Sequence, residues 1–181
     1  WAEWQTILAG GVACAGFAIL NKFSLADSLV VLAAASVGQF VRGRLNRRWL
    51  NQFGVAALAS AAACLVYLML ADLLTNTGLH TIHGPGYVAS LLFLVPGFPM
   101  ITSILDMVRM DFTAGLSRAA YSFGLILAAT MSAWMFSAAT GLQPLPAQTV
   151  FPYPWAWLAY AVATACGVAG FAVIFNSPPR T

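Results

Sequence analysis

Val95-Pro96-Gly97-Phe98-Pro99 interrupts an apolar run, Tyr87 to Val108, that is otherwise long enough to cross a bilayer. Proline lacks an amide hydrogen and its ring clashes with the preceding turn, so one proline kinks a helix and Pro-Gly-Phe-Pro unwinds it. Backbone opened in this way persists at membrane depth only against protein or a wet cavity. The segment therefore reads as a discontinuous helix of the kind that builds transporter substrate sites; a kink that only shapes packing is the alternative. Nine residues separate Tyr87 from the break, about 13 Å of helix, which predicts a break near the bilayer midplane. The helix that restarts at about Pro99 turns the positive end of its dipole toward the opening, where a carboxylate is favoured. On this reading Pro96, Gly97 and Pro99 shape a binding site, the backbone at Met100 and Ile101 faces the anion, and Thr102 supplies a hydroxyl.

The rest of the chain agrees with a membrane setting. Of 181 residues, 61% are hydrophobic and 7% charged, whereas a soluble domain carries roughly 25% charged residues. Eight basic and five acidic residues are too few for a nucleic-acid surface. Cys14, Cys64 and Cys166 lie in apolar runs at separations that fit no metal or redox motif, so packing is their expected role. His80 and His83 precede Gly84-Pro85-Gly86, a loop signal with no third ligand nearby, so neither a metal nor a cofactor is expected. The first residues, Trp1-Ala2-Glu3-Trp4, include no methionine and no basic leader, as in a piece of a longer chain.

Six stretches are candidates for spanning: Thr6 to Asn21, Leu25 to Val41, Phe53 to Leu74, Tyr87 to Val108, Thr113 to Thr140 and Trp155 to Phe175. The first two are short and joined by Lys22-Phe23-Ser24, so they form either a tight hairpin of spans or a re-entrant pair. With six spans, Arg42, Arg44, Arg47, Arg48, Arg109, Arg118 and Arg180 fall on one side and only Lys22 on the other. By the positive-inside rule the arginine side is cytoplasmic, both ends included, with Trp155 and Trp157 in an interfacial belt. Ala15-Gly16-Phe17-Ala18 recurs as Ala169-Gly170-Phe171-Ala172, at an offset of 154 residues with five spans between the copies. A repeat with an odd number of spans inserts its second copy inverted, which divides the chain into a five-helix unit (1–154) and the first helix of a second unit (155–181).

Beyond the break lie charges. Asp106 and Arg109 share a helix face and can pair, Asp111 follows, and all three sit about 10 to 18 Å below the break, at or near the cytoplasmic interface. They read equally as interfacial charges or as a proton-coupling site or gate, since a carboxylate beside arginine can bind and release a proton as a pathway rearranges. Asp27 and Asp72, near the outer interface, are weaker candidates, and Asn21 is placed to cap the first helix.

The stretch from Pro96-Gly97-Phe98-Pro99 through Asp106 to Asp111-Phe112-Thr113-Ala114-Gly115-Leu116-Ser117-Arg118 resembles the signature of the threonine/serine exporter family, approximately PGxPxxNxxxDxxxGDYxSGxxR. Pro96, Gly97, Pro99, Asp106, Asp111, Gly115 and Arg118 fall on it in register; Thr102, Met110, Phe112 and Ala114 stand where the pattern has asparagine, glycine, tyrosine and serine. The resemblance implies an inner-membrane protein of about ten helices in two halves that exports small amino acids on the proton motive force. Some relatives are split into two subunits and associated with dicarboxylate export. It also adds Arg118 to the coupling candidates.

The expectation is thus an all-α integral membrane protein of six transmembrane helices with a discontinuous fourth, part of a ten-helix inverted-repeat transporter. Its partners are lipid, protons, a small amino acid or carboxylate, and a missing second half or further copies of itself. A membrane subunit that transports nothing alone is the second reading. An enzyme is not expected, because no serine, histidine and carboxylate set converges at one depth.

Overall fold

The computed structural model describes residues 2–48, 51–78, 86–141 and 155–175, and they are helical almost throughout. Seven helices follow in order: α1 (Glu3–Leu20), α2 (Leu25–Asn46), α3 (Gln52–Asn76), α4 (Gly86–Ala89), α5 (Gly97–Val108), α6 (Phe112–Thr140) and α7 (Trp155–Ile174), with a 3-10 turn at Leu92–Leu94 between α4 and α5. Five of them, α1, α2, α3, α6 and α7, are long and apolar enough to cross a membrane. The segment Gly86–Leu94 and α5 together make a sixth candidate, bent by 59° at the break. His80 and His83 lie outside the described residues, as does Arg180.

The first two helices form a tight antiparallel hairpin of continuous rods. Asn21 ends α1 by donating its side-chain amide to Phe17 O at 2.8 Å, and Lys22 turns the chain with φ of 65°. Ser24 then caps α2: its hydroxyl accepts from Asp27 N at 3.1 Å and donates to Asp27 Oδ2 at 2.8 Å. Asp27 therefore has a local helix-starting role, and nothing places it on a pathway.

Small residues set the packing. Without a hydrophobic drive between helices in lipid, close approach requires short side chains. A Cβ on Gly11 would meet Ser36 Oγ, and one on Gly38 would lie 2.6 Å from the Phe93 ring. The core is accordingly rich in alanine, with Cys14 and Cys64 among its buried residues, while Cys166 lies on an exposed flank of α7.

Neighbours follow the order α7, α1, α2, α3, α6, α5, each packed on the next. The half-span of α4 and the 3-10 turn touches α1, α2, α3 and α6, so it fills the middle. Phe53 packs on Tyr121 and Gly124, and seven residues further on Ser60 Oγ donates to Ala129 O at 3.0 Å. Partners advance together along both helices, so α3 and α6 run parallel, and the chain returns between them to the end from which α3 began.

The outer half-span does not begin at the surface. Gly86 lies against the Tyr67 ring, and α3 runs nine residues past Tyr67 to Asn76, about 13 Å. The chain just before the break lies among mid-helix residues, with Phe93 against Gly38 of α2 and Val95 beside Ile126 and Ala129 of α6. On its other side the break adjoins a cavity that extends to Asn46 of α2 and Gln52 of α3.

Beyond the break, α5 folds back on α6, its main neighbour among the described helices, and Ser103 is its one buried residue. The reversal at Arg109–Asp111 places Met110 at φ 65°, a left-handed conformation that costs an L-residue about 1–2 kcal/mol. This is the position at which the exporter signature has glycine. Met110→Gly is expected to stabilise the hairpin by roughly 0.5–1 kcal/mol, read as a raised thermal midpoint in detergent; a lowered midpoint would contradict the strain.

Candidate functional site

Backbone geometry at the break is built by Pro96, whose φ of −80° and ψ of 66° form an inverse γ-turn closed by Gly97 N to Val95 O at 2.9 Å. Helix α5 starts directly after it. Pro99 occupies the first turn, where its missing amide costs nothing. Met100 N is bonded to Pro96 O at 3.1 Å. With Gly97 and Met100 engaged and Pro99 lacking an N–H, Phe98 carries the open amide of the turn.

A cavity of about 280 Å³ adjoins this turn. Val95, Pro96, Phe98 and Pro99 form one wall; Gln39, Arg42 and Asn46 of α2, Gln52 of α3, Tyr121 of α6 and Phe175 after α7 complete it. Two other hollows, between α1, α2 and α7 and between α1, the half-span and α6, are lined almost entirely by apolar side chains. Of these three, the cavity at the break is the one on which polar groups converge.

Arg42 is its central charge. The guanidinium is partly buried and donates from Nη1 to Phe93 O at 2.9 Å, which ties α2 to the carbonyl end of the 3-10 turn. The ion pairs among the described residues join Arg44 and Arg47 to Glu3 and Arg118 to Asp106, and none involves Arg42. One of its five N–H groups is thus engaged by the Phe93 carbonyl, and none by a carboxylate among the described residues. Gln39 Oε1 is buried without a hydrogen-bond partner. An arginine fork beside a helix N-terminus, flanked by side-chain amides, is chemically fitted to a carboxylate.

The sequence-predicted residues divide. Pro96 and Pro99 line the cavity, and Gly97 faces Phe175, whose ring would lie 3.1 Å from an added Cβ. Met100 and Ile101 are exposed and do not line it. The Met100 amide is spent within the helix, so the open amide is displaced to Phe98. Thr102 Oγ1 donates to Phe98 O and Pro99 O, both at 3.1 Å, so its hydroxyl is also absorbed by the helix.

The charges rearrange similarly. Asp106 Oδ2 accepts from Arg118 Nη1 at 2.6 Å across the hairpin, and Arg109 is exposed at the C-terminus of α5. The i, i+3 pairing with Arg109 gives way because α6 brings a guanidinium alongside. Asp111 caps α6, accepting from Ala114 N at 3.2 Å and from Thr113 Oγ1 at 3.1 Å, so its visible role is structural. Sequence reading used Arg42 only to assign orientation; its place in the cavity depends on how the half-span packs, for which no local signal exists.

Over residues 1–140 the chain matches the model of ThrE, described as "Putative threonine/serine exporter". The chain belongs to this family. The exporter signature noted above now has a physical reading: it encodes a break followed by a locked hairpin. Pro96 and Pro99 open the helix, Gly115 admits α5 against α6, Ser103 Oγ donates to Gly115 O at 2.8 Å, and Asp106 with Arg118 fastens the exposed flank.

Among its relatives, the exporter-family chain is 30% identical over 143 residues to "Probable succinate transporter subunit YjjP" of Escherichia coli (strain K12), covering 79% of this chain and 55% of that protein. It is 31% identical over 144 residues to the protein of the same name from Klebsiella aerogenes, covering 79% and 54%. The chain spans about half the length of the curated relatives it matches. No solved structure matches it.

Proposed function

We propose that this chain is the membrane half of a secondary exporter of small carboxylate-bearing metabolites, threonine and serine or a four-carbon dicarboxylate such as succinate. The observation that carries the reading is Arg42, a cation without a carboxylate partner among the described residues that faces the open turn of a broken helix. Family membership favours threonine and serine, and the names of the two relatives favour succinate. The reaction is movement of solute and not catalysis.

On this proposal the bent pair is one crossing, so six spans alternate across the inner membrane with the arginine-rich end and both chain ends in the cytoplasm. The parallel run of α3 and α6 supports that count, because the intervening chain has to return. The cavity then lies at the cytoplasmic end, where an exporter collects its cargo. Asp106, paired with Arg118 on the exposed flank, is the group assigned to couple export to protons, while Asp27 and Asp111 also serve as caps. A partner half completes the ten-helix transporter. The reading in which this chain transports nothing by itself has its own support: both relatives are named as subunits.

Proteoliposomes containing the complete transporter, loaded with radiolabelled threonine, serine, succinate or a neutral amide analogue, test the proposal. Efflux of at least one carboxylate, accelerated by an inward proton gradient and absent for the amide, is expected. Equal leakage of all solutes would overturn it.

A further inference from the structure

We infer that the cavity at the break admits solutes carrying a carboxylate at each end in preference to amino acids, and that Gln39 is the residue that reads the end away from Arg42. The inference rests on the proposed transport function and narrows its cargo. It begins with the signs of the charges. Among the described residues that line the cavity, Arg42 is the one with a formal charge, and none is an aspartate or a glutamate. Glu3 comes near, 4.0 Å from where a Cβ on Gly43 would stand, but its carboxylate is taken by Arg44 and Arg47. The other electrostatic feature at the opening is the N-terminus of α5, a partial positive charge.

Both features repel an ammonium. An amino acid bound through its carboxylate would hold its own ammonium beside the guanidinium, with no counter-charge to receive it, and a charge taken out of water needs a partner. The Phe93 carbonyl, a neutral acceptor within reach of Arg42, is already engaged by Arg42.

A second carboxylate meets the opposite situation. Gln39, Arg42 and Asn46 follow one another at i, i+3 and i+7, so they form a row along one face of α2 of about 10 Å. Asn46 is exposed while Arg42 and Gln39 are half-buried, which puts Gln39 at the inner end of the row. Its side chain runs beside Gly10 of α1, where an added Cβ would stand 3.4 Å from Gln39 Cβ and Cγ, and its Oε1 is buried without a hydrogen-bond partner. An amide that turns its oxygen into the protein offers its NH2 to the cavity, two donors one helical turn inward of the guanidinium. Residues three apart on a helix stand about 5–6 Å from each other at Cβ, a spacing that suits the two carboxylates of a short carbon chain. A site lined by donors discriminates against a solute that leaves them unmatched.

Efflux of succinate, aspartate and threonine from proteoliposomes holding the complete transporter tests this, because aspartate differs from succinate by one ammonium. The wild-type protein is expected to release succinate about 10-fold faster than either amino acid. Gln39→Met, close in shape but without the amide, is expected to lower the apparent affinity for succinate roughly 10-fold and to gain nothing for threonine. Gln39→Glu supplies the counter-charge that an ammonium lacks, so succinate efflux is expected to fall and threonine efflux to rise above the wild-type level, a gain that a misfolded protein cannot produce. Equal efflux of all three solutes by the wild type, unchanged succinate affinity in Gln39→Met, or no gain for threonine in a normally inserted Gln39→Glu would each overturn the inference and leave carboxylate export standing. Absence of efflux for every carboxylate would remove the transport proposal and this inference with it.

Discussion

Arg42→Gln is expected to weaken carboxylate export severely, with an apparent affinity roughly 10- to 100-fold lower, corresponding to the 1.5–3 kcal/mol of a hydrogen bond to a charged group. Glutamine keeps a donor that can reach toward Phe93 O, so the tie between α2 and the 3-10 turn is partly retained while the positive charge is removed. Arg42→Lys retains the charge but not the planar fork. A lysine cannot hold the Phe93 carbonyl at 2.9 Å and present a second, parallel pair of donors to an anion. An intermediate loss is therefore expected for lysine, in apparent affinity more than in maximal rate. Both variants should insert at normal yield, since the bundle is held by small-residue contacts elsewhere. Export by Arg42→Gln with unaltered affinity would remove Arg42 from the site and with it the main support for the cavity as the place of binding.

How much of this was legible in the sequence depends on the range of the forces involved. The break was readable because proline acts on its own backbone: Pro96 and Pro99 disrupt the helix wherever they are placed. The reach of α6 and α7 was readable from apolar length. The packing of Gly86 on the Tyr67 ring was not, because it is a contact between chain segments distant in sequence for which no local code exists. Asp106 was paired with the wrong arginine for the same reason. Local spacing offered Arg109, and only the fold of α5 onto α6 brings Arg118 to 2.6 Å. Asp27, in the first turn of α2, and Asp111, just before α6, also hold helix starts that sequence reading did not assign to them, although Ser24-x-x-Asp27 and the reversal before Phe112 carried that signal.

The packing of α5 makes Gly115 the most sensitive position of the hairpin. A Cβ there would lie 2.7 Å from Met107 Cγ, 3.0 Å from Ser103 O and 3.2 Å from Met107 N. The methionine side chain can swing aside, but the two backbone atoms cannot move unless α5 moves with them. Gly115→Val adds further atoms to this contact, an overpacking that costs about 1–3 kcal/mol in a well-packed interior. In most helices such a cost is spread over several neighbours. Here α6 is the one long helix against which α5 rests, so relief comes by displacing α5 as a unit, breaking the Ser103 to Gly115 O hydrogen bond and drawing Asp106 away from Arg118. The first turn of α5 is also the wall of the cavity, so the displacement reaches Pro96 and Phe98. Gly115→Val is thus expected to lower export by more than an order of magnitude while the protein still inserts, and to speed tryptic cleavage after Arg109. Gly54→Val is the control, because nothing lies within 4 Å of a Cβ at that helical glycine; it should lose little of either property. Wild-type export by Gly115→Val would mean that α5 can leave α6 without disturbing the site, and the signature would then have no structural reason for its glycine.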